Sequence, residues 1–135
     1  MNRLYVFDAS AVLDFVDGGA GSRKVEVLLK EAVAQRALLL MSVVNYGEVF
    51  YQLWQRRGEQ VARETVSKLI RLGIECVPVQ LDQVLAGGEI KVLHKIPYTD
   101  CLAAALAIIR NGLLVTADRD FEKLGRRVRV VWISR

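Results

Sequence analysis

The sequence predicts an α/β fold: one compact domain over residues 1–135, with a mostly parallel central sheet and helices on both faces, Rossmann-like and three-layered. Two observations carry this. Short uncharged apolar runs alternate with longer helical patterns, as βα units require, and no repeat, linker or low-complexity stretch divides them. A hydrophobic share of 53% against 25% charged residues, in 135 residues, supplies a core for one domain and little length for a second.

The elements follow in order. Leu4-Tyr5-Val6-Phe7 reads as the first strand, and a short helix spans Ala9 to Val16. Gly18-Gly19-Ala20-Gly21 is a loop with Asp17 as its turn residue, and Ser22 can cap a helix reaching Gln35. Ala37 to Met41 is the second strand. Ser42 is the N-cap of a helix to Arg57, Gly58 punctuates it, and another helix runs from Glu59 to Arg71. Gly73 ends that helix, Ile74 to Val77 is the third strand, and Pro78 closes it. Leu81 to Leu93 looks helical, with Asp82 as a cap, but Gly87-Gly88 predicts a break or bend. Thr99 is expected to cap an apolar helix to Arg110, stopped by Asn111-Gly112. Leu113 to Val115 and Val128 to Ile133 are the last strands.

Composition removes several classes. The hydrophobic content excludes disorder, and 10 Gly with 2 Pro excludes collagen-like chains. The longest uncharged apolar run, Cys101 to Ile109, is half a membrane span. Met1-Asn2-Arg3 is followed by only four apolar residues before Asp8, which is not a secretory leader. Cys76 and Cys101 show no metal or disulfide spacing, so a cytoplasmic location is expected. The net charge of +4 is mildly basic, and Arg outnumbers Lys by 13 to 6. That suits a polyanionic partner, and equally reflects genome composition or heat adaptation.

The acidic residues divide by setting. Glu26, Glu31, Glu59, Glu64, Glu75, Glu89 and Glu122 read as solvated faces. Four others stand apart: Asp8 directly follows the first strand, Glu48 lies inside the nearly uncharged Val43–Tyr51 stretch, Asp100 opens the alanine-rich helix, and Asp118 follows Leu113-Leu114-Val115. Residues just after parallel strands share the sheet edge that holds ligands, so Asp8 and Asp118 should meet there, and helices beginning at that edge can bring in Glu48 and Asp100. Asp8, Asp100 and Asp118 could each serve a helix N-terminus, but Glu48 is too far inside its helix for that.

Clustering decides the weighing. At an effective dielectric of about 20, two carboxylates ~5 Å apart repel by roughly 3 kcal/mol. Such a cluster must protonate in part, find cations or bind metal. Only Arg119 is nearby in sequence, and an all-oxygen set without His or Cys suits Mg²⁺ or Mn²⁺. Paired ions of this kind serve phosphodiester hydrolysis.

Asp8-Ala9-Ser10, Glu48 in an apolar helix, Tyr98-Thr99-Asp100 and Thr116-Ala117-Asp118-Arg119-Asp120-Phe121 together resemble the PIN-domain family, across essentially the whole chain. The likeness is closest to single-domain VapC-type ribonuclease toxins. The resemblance implies a Mg²⁺- or Mn²⁺-dependent endoribonuclease acting on RNA, usually a homodimer, inhibited by an antitoxin protein. The family's acidic quartet maps onto Asp8, Glu48, Asp100 and Asp118, and its small hydroxyl residue onto Thr116. Asp120 matches an acid of many members. The family also implies two alternatives: a non-catalytic RNA- or protein-binding module, and an RNA-processing nuclease outside a toxin–antitoxin pair.

Other residues have competing readings. Gly19-Ala20-Gly21 lacks the third glycine of a dinucleotide loop, because Lys24 stands there. A dehalogenase-type phosphatase needs Asp where Ser10 stands, and a receiver domain's paired acids are missing. His94 reads as structural or solvated, and Cys101 as a small core residue. Ser10 could bond a metal-bound water or cap the first helix. Asn45 could touch substrate or be a solvated surface residue. Tyr46, Phe50, Tyr51 and Trp54 offer an apolar surface for a dimer.

Overall fold

The computed structural model describes residues 2–134. The elements are β1 (Arg3–Phe7), α1 (Ala9–Val16), α2 (Ser22–Val33), β2 (Ala37–Ser42), α3 (Val43–Arg57), α4 (Glu59–Arg71), β3 (Ile74–Val77), α5 (Leu81–His94), α6 (Tyr98–Ile109), β4 (Leu113–Thr116), a 3-10 segment (Arg119–Arg127) and β5 (Arg129–Trp132). All five strands are parallel, in the order β3-β2-β1-β4-β5. The strands are nearly continuous apolar runs because both faces of the sheet are covered.

Strand parity sorts the core. Tyr5, Phe7, Leu39, Met41 and Ile74 pack with α1 to α4 on one face. Val6, Leu40 and Leu114 pack with Ile90, the alanines of α6, Phe121 and Leu124 on the other. Two-residue alternation within each strand therefore builds two separate cores. Strand order turns back at β1, whose neighbours are β2 and β4, so the switch point lies between the carboxyl ends of β1 and β4.

Several local expectations are corrected. Gly87-Gly88 does not break α5, which is one helix. A Cβ at Gly87 would stand 2.9 Å from Leu102 Cδ2, so this glycine serves the close packing of α5 on α6. Thr99 does not cap α6: the cap position is Pro97, without a side-chain bond. Asp82 lies in the first turn of α5, behind Gln80. Ser22 is the first residue of α2 rather than its cap, and the Gly21 amide beside it donates to Asp14 Oδ2 (2.7 Å). The 3-10 segment was not foreseen. Its buried Phe121 and Leu124 sit three apart, the 3-10 period, and Gly125 kinks it at φ 55°.

Candidate functional site

Asp8 directly follows β1 and is the N-cap of α1, its Oδ1 accepting from Ala11 N (2.9 Å). Its side chain is buried, at 2% exposure. Ser10 Oγ donates to the Asp8 carboxylate (2.9 Å), and Thr116 Oγ1, at the end of β4, donates to Oδ2 (2.5 Å). The same two hydroxyls accept from the next turn: Ala117 N donates to Ser10 Oγ (3.0 Å) and Asp118 N to Thr116 Oγ1 (2.9 Å). Each hydroxyl has one proton, spent on Asp8, and the backbone amides fill acceptor positions behind it. Ser10 therefore does not cap α1; Asp8 does. Asp118 is the N-cap of the 3-10 segment, accepting from Asp120 N (2.9 Å). Capping and clustering thus coexist at both aspartates.

Glu48 stands inside α3 and Asp100 in the first turn of α6, both half-buried. Asn45 joins them. Its Nδ2 donates to Glu48 Oε1 and to Thr99 O, both at 3.2 Å. Both partners are acceptors, so the amide orientation is set by chemistry, and Asn45 Oδ1 is left buried without a donor. Asn45 is 0% exposed, which excludes the solvated-surface expectation.

The electrostatics register the cluster. Burial pushes the Asp8 carboxyl up to about 6, against the lowering bonds from Thr116, Ala11 and Ser10, with Asp118 adding repulsion. Asp100 is pushed up to about 7, first by burial and then by repulsion from Asp118, Asp8, Glu48 and Asp120. Among the described residues no basic side chain pairs with these acids. Arg119, the one basic neighbour in sequence, lies over the Trp132 ring at 4.3 Å and donates to Ser134 O, away from them. Asp8, Glu48, Asp100 and Asp118 could hold a hard divalent cation: the donors are all oxygen, and no internal cation competes. Among the described residues no three acids are drawn into a closed ligand cage.

Sequence reasoning missed Asn45's burial and Asp14's bond to Gly21, both of which depend on distant or looped partners. Tyr46 leaves the expected apolar surface: it is 4% exposed, with its hydroxyl on Ile74 O. Tyr51 and Trp54 are exposed at 50% and 42%, Trp54 packing edge-on to Phe50 (5.5 Å). Cys101 is buried in the core as expected. His94 is half-buried, its Nε2 without a partner among the described residues. None of the described helices is long and apolar enough to cross a membrane.

Comparison with known proteins bears on the fold. No curated protein matches the chain. Among solved structures, VapBC2 from Rickettsia felis, bound to a promoter DNA fragment, superposes with a TM-score of 0.76 at 15% identity, covering 96% of this chain and 98% of that one. VapBC-1 from nontypeable Haemophilus influenzae gives 0.73 at 16%, covering 97% and 98%. Mycobacterium tuberculosis VapC20, a sarcin-ricin loop cleaving toxin, gives 0.69 at 19%, covering 90% and 95%. At these identities the likeness shows the fold. The family model described as PIN domain matches residues 5–127, nearly the full length over which the sheet, both cores and the acidic edge are built, and the chain belongs to the PIN-domain family.

Proposed function

We propose that this chain is a Mg²⁺- or Mn²⁺-dependent endoribonuclease and the toxin of a toxin–antitoxin pair. The observation that carries the reading is four acids, Asp8, Glu48, Asp100 and Asp118, at the switch-point edge of a PIN domain, with which no basic side chain among the described residues pairs. A divalent ion, when bound, supplies Lewis acidity for phosphodiester hydrolysis.

The chain's own residues prepare for that ion. A carboxylate offers about four acceptor positions, and Ala11, Ser10 and Thr116 take three of those on Asp8, aiming the fourth. Ser10 and Thr116 support Asp8, and Thr116 also orders Asp118. Asp120, exposed at the rim, adds negative charge within reach of Asp100. Without a cation Asp100 retains a proton up to about pH 7, so cation binding near neutrality is linked to proton release. The net charge of +4 favours a polyanion.

A structural neighbour from Klebsiella pneumoniae is a toxin–antitoxin complex by name, and one from Mycobacterium tuberculosis is named as a member of the VapBC family of toxin–antitoxin systems, which supports an antitoxin partner for this chain. An antitoxin side chain that is basic would satisfy the unbalanced acids and exclude metal. The exposed Tyr51 and Trp54 of α3, with Leu81, Leu85 and Val92 of α5, support a homodimer. Sedimentation is expected to give a dimer at micromolar concentration; a monomer removes that part of the reading. Single-stranded RNA incubated with purified protein should be cut with Mg²⁺ or Mn²⁺ and spared in EDTA. Cleavage surviving thorough chelation overturns the reading.

A further inference from the structure

On the sheet edge opposite the acids, an open cleft of about 560 Å³ is lined by Arg3, Arg110, Arg129, Asn2 and Asn111 over Leu4 and Leu113. Three arginines line it and no acidic residue does, although Arg110 also borders the neighbouring cleft that holds Glu75 and Asp82. Elsewhere among the described residues Arg36, Arg56, Arg57, Arg63 and Arg127 each pair with an acid, whereas Arg23, Arg71, Arg119 and Arg126 do not, so what sets the cleft apart is three such arginines together. Among the described residues no acid pairs with Arg3, Arg110 or Arg129.

The fold enforces the grouping. Arg3 opens β1 and Arg129 opens β5, and parallel strands begin at one edge. Arg110 and Asn111 form the turn between α6 and β4, and Asn111 takes φ 53° there. A Cβ at Gly112 would lie 2.5 Å from Leu4 Cδ2 and 2.9 Å from Leu4 O, so glycine lets this turn seat on β1 beside Arg3. An arginine after a helix is often only a partner for the last carbonyls. Here those carbonyls are mostly taken: Gly112 N donates to Ala107 O (2.8 Å) and Asn111 N to Ile108 O (3.1 Å). Arg129 Nη2 donates to Asn111 O (2.9 Å), which orients Arg129, while among the described residues no ion pair engages Arg3 or Arg110.

We propose that this cleft binds phosphate groups, at a site separate from the acidic edge. Guanidinium forks match phosphate oxygens bidentately, and three positive charges without counter-charge favour a dianion or a run of diesters. The volume accommodates a pyrophosphate or a nucleotide-sized segment. The phosphate can belong to an RNA strand or to a free phosphorylated molecule, and the two sources are separable.

The test uses the full chain in EDTA, so it does not depend on cleavage. Arg3→Gln/Arg110→Gln leaves Arg129 on its carbonyl. Arg23→Gln/Arg126→Gln, at two exposed positions outside the cleft, makes the same change in net charge. Pyrophosphate should shift the side-chain resonances of Arg3 and Arg110 in the unsubstituted protein and bind the first variant at least ~10-fold more weakly. RNA as the source predicts a single-stranded oligonucleotide whose log affinity against log salt is shallower by about 1 to 2 in the first variant alone. Pyrophosphate binding lost with an unchanged RNA slope identifies a free phosphorylated molecule. The proposal is overturned if pyrophosphate leaves these arginines unshifted, or if both variants lose binding equally.

Discussion

Helix α1 carries an aspartate at each end, and the two are treated in opposite ways. Asp17, at its C-terminus, where the helix dipole disfavours negative charge, is neutralised by Arg57 and by Arg56 Nη1 at 2.9 Å. Asp8, at its N-terminus, has the dipole and three hydrogen-bond donors in its favour, yet its carboxyl is held up at about 6. Burial and neighbouring acids outweigh every favourable local contact there. The C-terminal end is arranged for stability, whereas the N-terminal end keeps a charge imbalance that only something from outside the chain can relieve.

The widest separation between the two ends should come from asparagine substitutions. Asp8→Asn and Asp100→Asn should each lower cleavage by at least ~100-fold while leaving the metal-free melting temperature equal or higher, because a repulsion is relieved. Asp17→Asn should leave cleavage unchanged and lower stability by at most ~1 kcal/mol, as exposed ion pairs do. Near-normal cleavage by Asp8→Asn and Asp100→Asn would erase the distinction. Asn45→Ala comes next. Freeing Glu48 from its bridge to Thr99 should cost roughly 10-fold or more in cleavage and raise the Mg²⁺ concentration needed for half-activity. A stability loss with unchanged metal dependence would make Asn45 a packing residue only.

A smaller effect sharpens the same contrast through pH. Asp8 and Asp100 have folded values of about 6 and 7, above the unfolded value of 3.8. Between about pH 4 and 7 the folded chain therefore holds protons that the unfolded chain has released. Their contribution is fully present below pH 4 and is lost as pH rises through 7. In EDTA, melting should fall by a few degrees between pH 5 and 8, and less so in Asp8→Asn and Asp100→Asn. Saturating Mg²⁺ should flatten the profile. An equal fall in the variants would assign it to other groups.

Asp8 and Asp118 were legible because each ends a short apolar run, and parallel strands deliver such residues to a shared edge. Glu48 was legible as a charge that neither solvent nor a helix terminus explains. Asn45 was not, because its burial depends on Thr99, 54 positions away. The continuity of α5 was equally hidden: glycine propensity argues for a break, while the reason for Gly87 is the Leu102 side chain on another helix. Asp14's bond to Gly21 needs the intervening loop to fold back. What the chain's local pattern omits is long-range packing, and at this site such packing joins the acids more than it creates them.

The hydroxyl pair of Ser10, in the first turn of α1, and Thr116, at the end of β4, also bears on how this edge opens. The β1–β4 ladder is short, pairing Tyr5 with Leu113, Val6 with Leu114 and Phe7 with Val115. Beyond it, Ala117 N on Ser10 Oγ and Asp118 N on Thr116 Oγ1 continue the connection through side chains. Those two amides, although outside any strand, should exchange with deuterium as slowly as the ladder itself. Replacing Ser10 by Ala should release Ala117 first. The switch point would then belong to the last cooperative unit of the domain to open, a rigid ledge of acids instead of a mobile loop.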